Sequence, residues 1–308
     1  SAEESSASSL NSAGEKAALK DLPFHATAVD KSPLHERSVD EILQNAGFDV
    51  NGAGTSKTAR RDVTLRVVGD PSRVLVMLDG MPVQDPGAGF VKWDLLGIES
   101  VERIEVLRGP LSSLYGSGGL GGVVNVVTAT PERPNETDFR ATGGSFGQRS
   151  AQVFQGGSKG ALSYSLGARY EANDGYIAEK APASYNVRRE GWNWSAHPKL
   201  VYRPSGDSAV TFGYNHGRVV FTPGRRFRRQ DQSQDMGYVQ FKKRAGFLDW
   251  QAGLYSIFGR RERQKDKSPN FNFIDSLTEG KTASLGGSAQ ARYESGGWGA
   301  LTAGFDGR

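Results

Sequence analysis

The sequence predicts an antiparallel membrane β-barrel, partial, with about nine strands, following an N-terminal α+β domain. Three observations predict it. Apolar and polar residues alternate with period two beyond residue 136, connections alternate between very short and long, and 40 glycines stand against three methionines. No stretch reaches the roughly 18 consecutive apolar residues of a membrane helix, so a bilayer-spanning structure here must use strands. Strands that alternate lipid-facing and lumen-facing side chains hide in the composition, here 37% hydrophobic with a mean hydropathy of -0.51. The formal charge of +4 is mild and gives no indication of nucleic acid. The absence of cysteine removes disulfides and thiolate metal sites.

Residues 1–21 open with SAEESSASSLNSAGEKAALK, too polar to bury and without the apolar core of a signal peptide. They are expected to be flexible, any leader having been removed. Residues 22–131 mix short apolar strands with one helical piece, Ser38 to Asn45, where Val39, Ile42 and Leu43 share a face and Ser38 can cap. That makes an α+β domain of ordinary size.

From residue 132 to 308 helical periodicity disappears. In ALSYSLGARYE, Leu162, Tyr164, Leu166, Ala168 and Tyr170 take one face, and Ser163, Ser165, Gly167, Arg169 and Glu171 the other. The pattern recurs at Val210, Phe212 and Tyr214, at Val239 and Phe241, at Leu248 to Leu254, and at Leu301, Ala303 and Phe305. Strands are expected at about 137–146, 148–157, 161–172, 193–204, 208–218, 236–245, 247–261, 281–294 and 298–307. A β-sandwich would alternate too. The connections favour a barrel: Asn173–Trp192, Phe221–Asp235 and Gln264–Gly280 are long, whereas Ser205–Asp207 and Gly246 are short, as in outer-membrane barrels. An odd number of strands leaves an edge, and unpaired backbone in lipid is costly, so further strands must close the wall.

Gly116, Gly118 and Gly121 formally satisfy a dinucleotide-binding spacing, but that fingerprint must open a helix and the VVNVVT that follows is β-branched. These glycines read instead as tight turns and close backbone approach. The surrounding segments, RVLVMLDGMPVQDP (Arg73–Pro86) and IESVERIEVLRGPLSSLYGSGGLGGVVNVVT (Ile98–Thr128), resemble the plug domain of TonB-dependent outer-membrane receptors. The resemblance rests on Leu78-Asp79-Gly80 with Pro82, Glu102 to Val106, Arg108-Gly109-Pro110, Ser113 to Gly116 and Gly121 to Val126. DVTLRVVG, Asp62 to Gly69, resembles an upstream strand of the same family.

The resemblance implies a plug at 22–131 inside a barrel of about 22 strands, a periplasmic N-terminal segment, and import of a scarce extracellular ligand, by default a ferric siderophore. It implies the TonB-ExbB-ExbD energy-coupling system as partner, and outer-membrane lipid and lipopolysaccharide as surroundings. No cofactor, resident metal or nucleic acid is implied. The alternative is a receptor-like scaffold that holds a partner protein without transport. The family's coupling segment has no good match before Leu22; Lys20 to Val29 is the nearest stretch and also resembles the first plug strand. Gln84, Asp85, Phe90, Lys92 and Trp93 in one apical loop, with Asn51–Arg61 in another, are expected to meet ligand. So is the cluster Arg225, Arg226, Arg228 and Arg229, which would attract anionic ligands or lipopolysaccharide phosphates. Arg103, Glu105 and Arg108, enclosed by the barrel, should pair with each other or with lumen groups such as Arg169, Glu171 or Lys242. His25, His35, His197 and His216 lack metal-ligand spacing, and no catalytic constellation is evident. Arg308 ends an up-going strand, so the rest of the barrel is expected in a second polypeptide or further segment, divided by cleavage, a split gene or truncation.

Overall fold

The computed structural model describes residues 25–30, 48–52, 61–65, 74–87, 89, 91–108, 117–295 and 299–307. The expected helix at Ser38–Asn45, the centre of the Asn51–Arg61 loop and Phe90 lie outside the described residues. Among the described residues there are two main structures, a small mixed sheet and a long antiparallel wall, beside a separate two-stranded pair.

The small sheet uses β1 (His25–Asp30), β4 (Val74–Leu78), β5 (Met81–Pro82), β6 (Val101–Arg108) and β7 (Gly122–Thr128), in the order β1-β6-β7-β4-β5. β2 (Phe48–Gly52) and β3 (Arg61–Leu65) form a separate antiparallel pair. Only the β4–β7 pairing is parallel within the small sheet, and both strands are buried along their whole length. That explains their largely apolar runs, VLVML and VVNVV, interrupted only by Asn125, where a one-sided strand would place a polar residue at every second position. Asp79 and Gly80 join β4 to β5 with φ of 51° and 85°, so Leu78 pairs directly with Met81. Two successive positive φ values define the tight hairpin turn for which Asp-Gly is suited.

The wall contains β8 (Glu136–Gly143), β9 (Arg149–Lys159), β10 (Leu162–Asn173), β11 (Gly191–Ser205), β12 (Ser208–Phe221), β13 (Arg229–Ala245), β14 (Leu248–Asp266), β15 (Ile274–Ser295) and β16 (Gly299–Gly307). Each pairs antiparallel with its neighbour in the sequence. β8 and β16 are the two edges and do not pair with each other, so the wall is open.

The alternation has a physical outcome. Ser163, Ser165, Asn193, Ser195, His197, Asn215, Gln232, Gln234 and Gln240 are buried on the inner face, while Leu166, Phe212, Leu254 and Leu285 are exposed on the outer one. Burying polar groups and exposing leucines suits a wall with lipid outside and a polar interior.

Three strands run further than the alternation suggests. β13 begins at Arg229 rather than near 236, β14 continues to Asp266, and β15 starts at Ile274, so two of the expected long loops contract to 222–228 and 267–273. The extensions, such as RQDQSQD and RERQKD, are polar on both faces. Beyond the hydrocarbon, hydrophobic contrast vanishes while the backbone ladder continues, as in the pairing of Gln230 with Arg263.

The small sheet sits against the inner face of the wall. One apolar cluster joins Val76, Ile104, Val124 and Trp93 of the former to Met236, Tyr238, Tyr255 and Ile257 of the latter. Close approach is needed where the single-turn 3-10 helix Trp93–Leu95 meets β12. A Cβ added at Gly217 would lie 2.8 Å from the Leu95 Cβ and 3.0 Å from its Cα. Gly217→Leu is therefore expected to push this turn off the wall, at an overpacking cost of about 1–3 kcal/mol. Protease cleavage within 91–100 should rise in the folded protein while the heat-dependent gel mobility that reports the intact wall stays unchanged.

Candidate functional site

The two structures are joined by a buried polar chain that starts at the Asp-Gly turn. The turn points the Asp79 carboxylate away from β4 and across to the end of β7. Oδ1 accepts from the Thr128 backbone N–H at 2.8 Å, and Oδ2 accepts from the Thr128 hydroxyl at 2.6 Å. From the wall, the Tyr238 hydroxyl donates to the same Oδ2, and Lys199 Nζ lies 3.3 Å from it. Lys199 also donates to the Thr128 carbonyl and hydroxyl oxygens, each at 2.9 Å. One carboxylate thus collects partners from β7, β11 and β13.

The chain continues through the small sheet. Asn125 accepts from the Gly80 N–H at 3.0 Å and donates to Glu105 Oε2 at 2.9 Å. Glu105 Oε1 receives Arg103 Nε and lies 2.9 Å from its NH2 group. Burial pushes the Asp79 carboxyl up, but Lys199, Thr128 and Tyr238 together outweigh it and hold it below the usual carboxylate range. For Glu105 burial prevails over Asn125, Arg103 and Lys242, and the carboxyl is raised. The two acids thus differ in which effect prevails, the partners on the Asp79 oxygens or the burial of Glu105.

A second contact lies at the neighbouring single-turn helix, Ile98–Ser100. The Gly97 N–H donates to His197 Nε2 at 3.0 Å, which leaves the His197 Nδ1 3.6 Å from Glu99 Oε1. That separation is too long for a hydrogen bond, and neither Glu99 oxygen has a hydrogen-bond partner among the described residues.

The predicted apical residues take a different part. Gln84 donates to the Val74 carbonyl at 2.9 Å, Lys92 pairs with Asp85 at 2.9 Å, and Trp93 belongs to the apolar cluster. All four are buried rather than turned towards a ligand. The reason is that the loop folds onto the wall, where Gln234 donates to the Val83 carbonyl at 3.1 Å. A loop so placed directs its polar groups to its own backbone and counter-ions. Arg103 and Glu105 pair with each other, as do Arg169 and Glu171 at 2.7 Å, the latter within β10 of the wall itself. Arg108 is half-buried at the end of β6.

The arginine cluster divides. Arg225 and Arg228 lie 3.4 and 3.3 Å from the buried Asp266 carboxylate, and the Arg225 guanidinium stands 3.9 Å from the Phe271 ring centre. Arg226 and Arg229 remain exposed. Two of the four therefore fasten loops together.

Sequence reasoning missed a row of inward cations. Gly259 faces the lumen, since a Cβ there would meet Thr282, Asp85 and Lys92. Alternation along β14 then places Arg261, Arg263 and Lys265 on the same inner face, each about 6.7 Å further towards the long-loop end. Arg261 Nε is buried without a hydrogen-bond partner among the described residues. The signal was present as RRERQK, in which every second residue is basic. Among the described residues no His, Asp and Glu group is placed to hold a metal ion.

A family model described as TonB-dependent Receptor Plug Domain matches residues 18–123. The vitamin B12 transporter BtuB of Vibrio cholerae is 32% identical over 123 residues, covering 39% of this chain and 20% of that protein. The hemin receptor of Yersinia enterocolitica is 31% identical over 193 residues, covering 60% of this chain and 26% of that protein. Among solved structures, the siderophore receptor PirA from Acinetobacter baumannii superposes with a TM-score of 0.72 at 16% identity, over 94% of this chain and 48% of that one. The chain spans about half the length of that structure and matches 20% and 26% of those two relatives. At such low identity the superposition shows the fold, a plug inside a barrel wall. The plug match and the relatives' sequences identify residues 18–123 as a plug domain of the TonB-dependent receptor family, and the described residues add to it nine strands of a wall with the fold of those receptors' barrels.

Proposed function

We propose that the protein imports an anionic ferric chelate of the siderophore class across the outer membrane, coupled to TonB-ExbB-ExbD, with further strands completing the barrel. The observation that carries the ligand class is the inward row Arg261, Arg263 and Lys265, which rises from the Asp85–Lys92 pair of the plug apex. Cations that line a water-filled mouth of low-dielectric walls concentrate anions there. Exposed Arg226 and Arg229 extend that field to the loop rim. The unpaired edges β8 and β16 call for strands from another segment or polypeptide, because lipid cannot satisfy their backbone groups.

Uptake then requires the plug to leave the wall. Asp79, Lys199 and Tyr238 supply the fastening that energy coupling must release, and Glu99 opposite His197 supplies a weaker one. The test is tryptophan-fluorescence titration of the receptor, purified from outer membranes, with a ferric catecholate, a ferric hydroxamate, hemin and cobalamin. Saturable binding of a ferric chelate at micromolar concentration or below is expected, with uptake in cells lost when the proton-motive force is collapsed. Binding of none of the four, or cobalamin alone, would refute the reading and favour a scaffold or another cargo.

A further inference from the structure

The plug meets the inner face of the wall along two unlike seams. On the β13–β14 side, Met236 and Ile257 are paired across the strands and belong to one apolar cluster with Ile104, Val124, Trp93 and Leu96 of the plug. Polar groups that reach the plug there are bonded, Gln234 to the Val83 carbonyl and Tyr238 to Asp79.

Towards β10, β11 and β12 the plug presents the turn Gly97–Ser100, and there the bonding fails. Gly167 pairs with His197, and the pairing of Ala196 with His216 and of Lys199 with Gly213 sets Asn215 beside His197 on the inner face. Glu99 Oε1 and Oε2, Ser100 Oγ, His197 Nδ1 and Asn215 Oδ1 are all buried, and none has a hydrogen-bond partner among the described residues. The Gly97 N–H bond to His197 Nε2 crosses the seam at this turn. Nearby cations are committed elsewhere, Arg169 to Glu171 and Lys199 to Asp79, so neither answers the Glu99 carboxylate.

Close packing accounts for the failure. A Cβ added at Gly167 would overlap Ser100 Oγ and lie 2.9 Å from Glu99 Cγ, and one added at Gly97 would overlap Glu99 Oε1 and His197 Nδ1. Glycine on both sides lets the turn lie so near the wall that water is shut out although the polar groups find no partners.

Opening the two seams therefore has opposite consequences. Water on the β13–β14 side wets apolar surface that burial had removed from it. Water at Gly97–Ser100 supplies bonds to five polar atoms whose desolvation the closed seam leaves uncompensated.

We propose that the plug parts from the wall first between Gly97–Ser100 and strands β10 to β12, where water enters, and last along β13 and β14. The import reading supplies the force that draws the plug; the order of parting belongs to the resting fold. Energy coupling then opens this seam before it strains the apolar one.

The chain contains no cysteine, so an introduced thiol reports one position of it. Ser100→Cys, Asn215→Cys and Ile257→Cys probe residues of matched burial, at 1%, 2% and 0% exposure. The protein purified from outer membranes is labelled with N-ethylmaleimide, and peptide mass spectrometry reads each rate relative to that of the same variant unfolded in urea. Ser100→Cys and Asn215→Cys should react at least about tenfold faster than Ile257→Cys, because a buried thiol is labelled only when its surroundings open. Equal rates, or a faster rate at Ile257→Cys, would overturn the order of parting. Should Ser100→Cys fail to assemble, Asn215→Cys against Ile257→Cys decides. In respiring cells the rates at Ser100→Cys and Asn215→Cys should rise, and fall back when the proton-motive force is collapsed. A rise led by Ile257→Cys would overturn the proposal. Unchanged rates in cells beside a tenfold difference in the purified protein would refute the import reading and leave the order of parting standing.

Discussion

Asp79→Ala is expected to release the plug from the barrel wall while leaving the wall folded. The substitution strips the Thr128 N–H and hydroxyl, the Tyr238 hydroxyl and Lys199 of a shared partner in one step. Lys199, nine-tenths buried, is left with only the Thr128 oxygens to answer its charge. Removing one member of a buried ion pair costs about 3–5 kcal/mol, since the other charge stays desolvated. The fraction of molecules with an opened plug should then rise on the order of 10²–10⁴-fold. Hydrogen exchange reads this directly: the amides of β7, Thr128 first, should lose protection while the β10–β13 ladder keeps it. Exchange unchanged at Thr128 would mean that the apolar cluster around Trp93 and Ile257 alone seats the plug.

The same carboxylate sets a pH dependence. Its value in the fold lies below that of an unfolded aspartate. Its stabilisation is therefore fully present above the ordinary value, about 3.9, and is lost as pH falls through the lowered one. Glu105 works in the opposite sense, because burial raises it and the fold binds its proton more tightly than the unfolded chain does. Mild acid near pH 5 should leave the plug seated, and loosening should begin only below about 4. Asp79→Asn should abolish that acid step.

Little of this fastening was legible in the sequence, though its setting was. Leu78-Asp79-Gly80 reads as a turn from local chemistry alone, because backbone conformation at two residues decides it. The partners of the Asp79 side chain, Lys199 and Tyr238, stand on β11 and β13, and nothing local in a sequence links them. β10 was readable because its hydrophobic contrast follows its faces; the outer ends of β13, β14 and β15 were not, because water lies on both sides. The Arg225–Arg229 cluster was visible as charge. Its neutralisation by Asp266 was not, since that counter-ion arrives from the far end of β14.

Arg261→Glu/Arg263→Glu is expected to weaken an anionic ferric chelate by at least about a hundredfold, an effect of roughly 3 kcal/mol. Arg261 contributes most, for it stands deepest in the mouth, next above the Asp85–Lys92 pair, where a charge-assisted bond from its guanidinium to a ligand oxygen is least screened. Reversal removes that bond and sets two carboxylates in the ligand's path. Because both groups face a confined mouth, the association rate should fall too, and its dependence on salt should reverse sign. Fluorescence titration at two ionic strengths measures both effects. Lys265→Ala, nearer the rim, should lower the association rate and leave the dissociation rate nearly unchanged. A neutral cargo would respond to none of these changes, since a ligand without charge gains nothing from the sign of the wall it passes. Unaltered affinity in the double reversal would therefore exclude an anionic chelate.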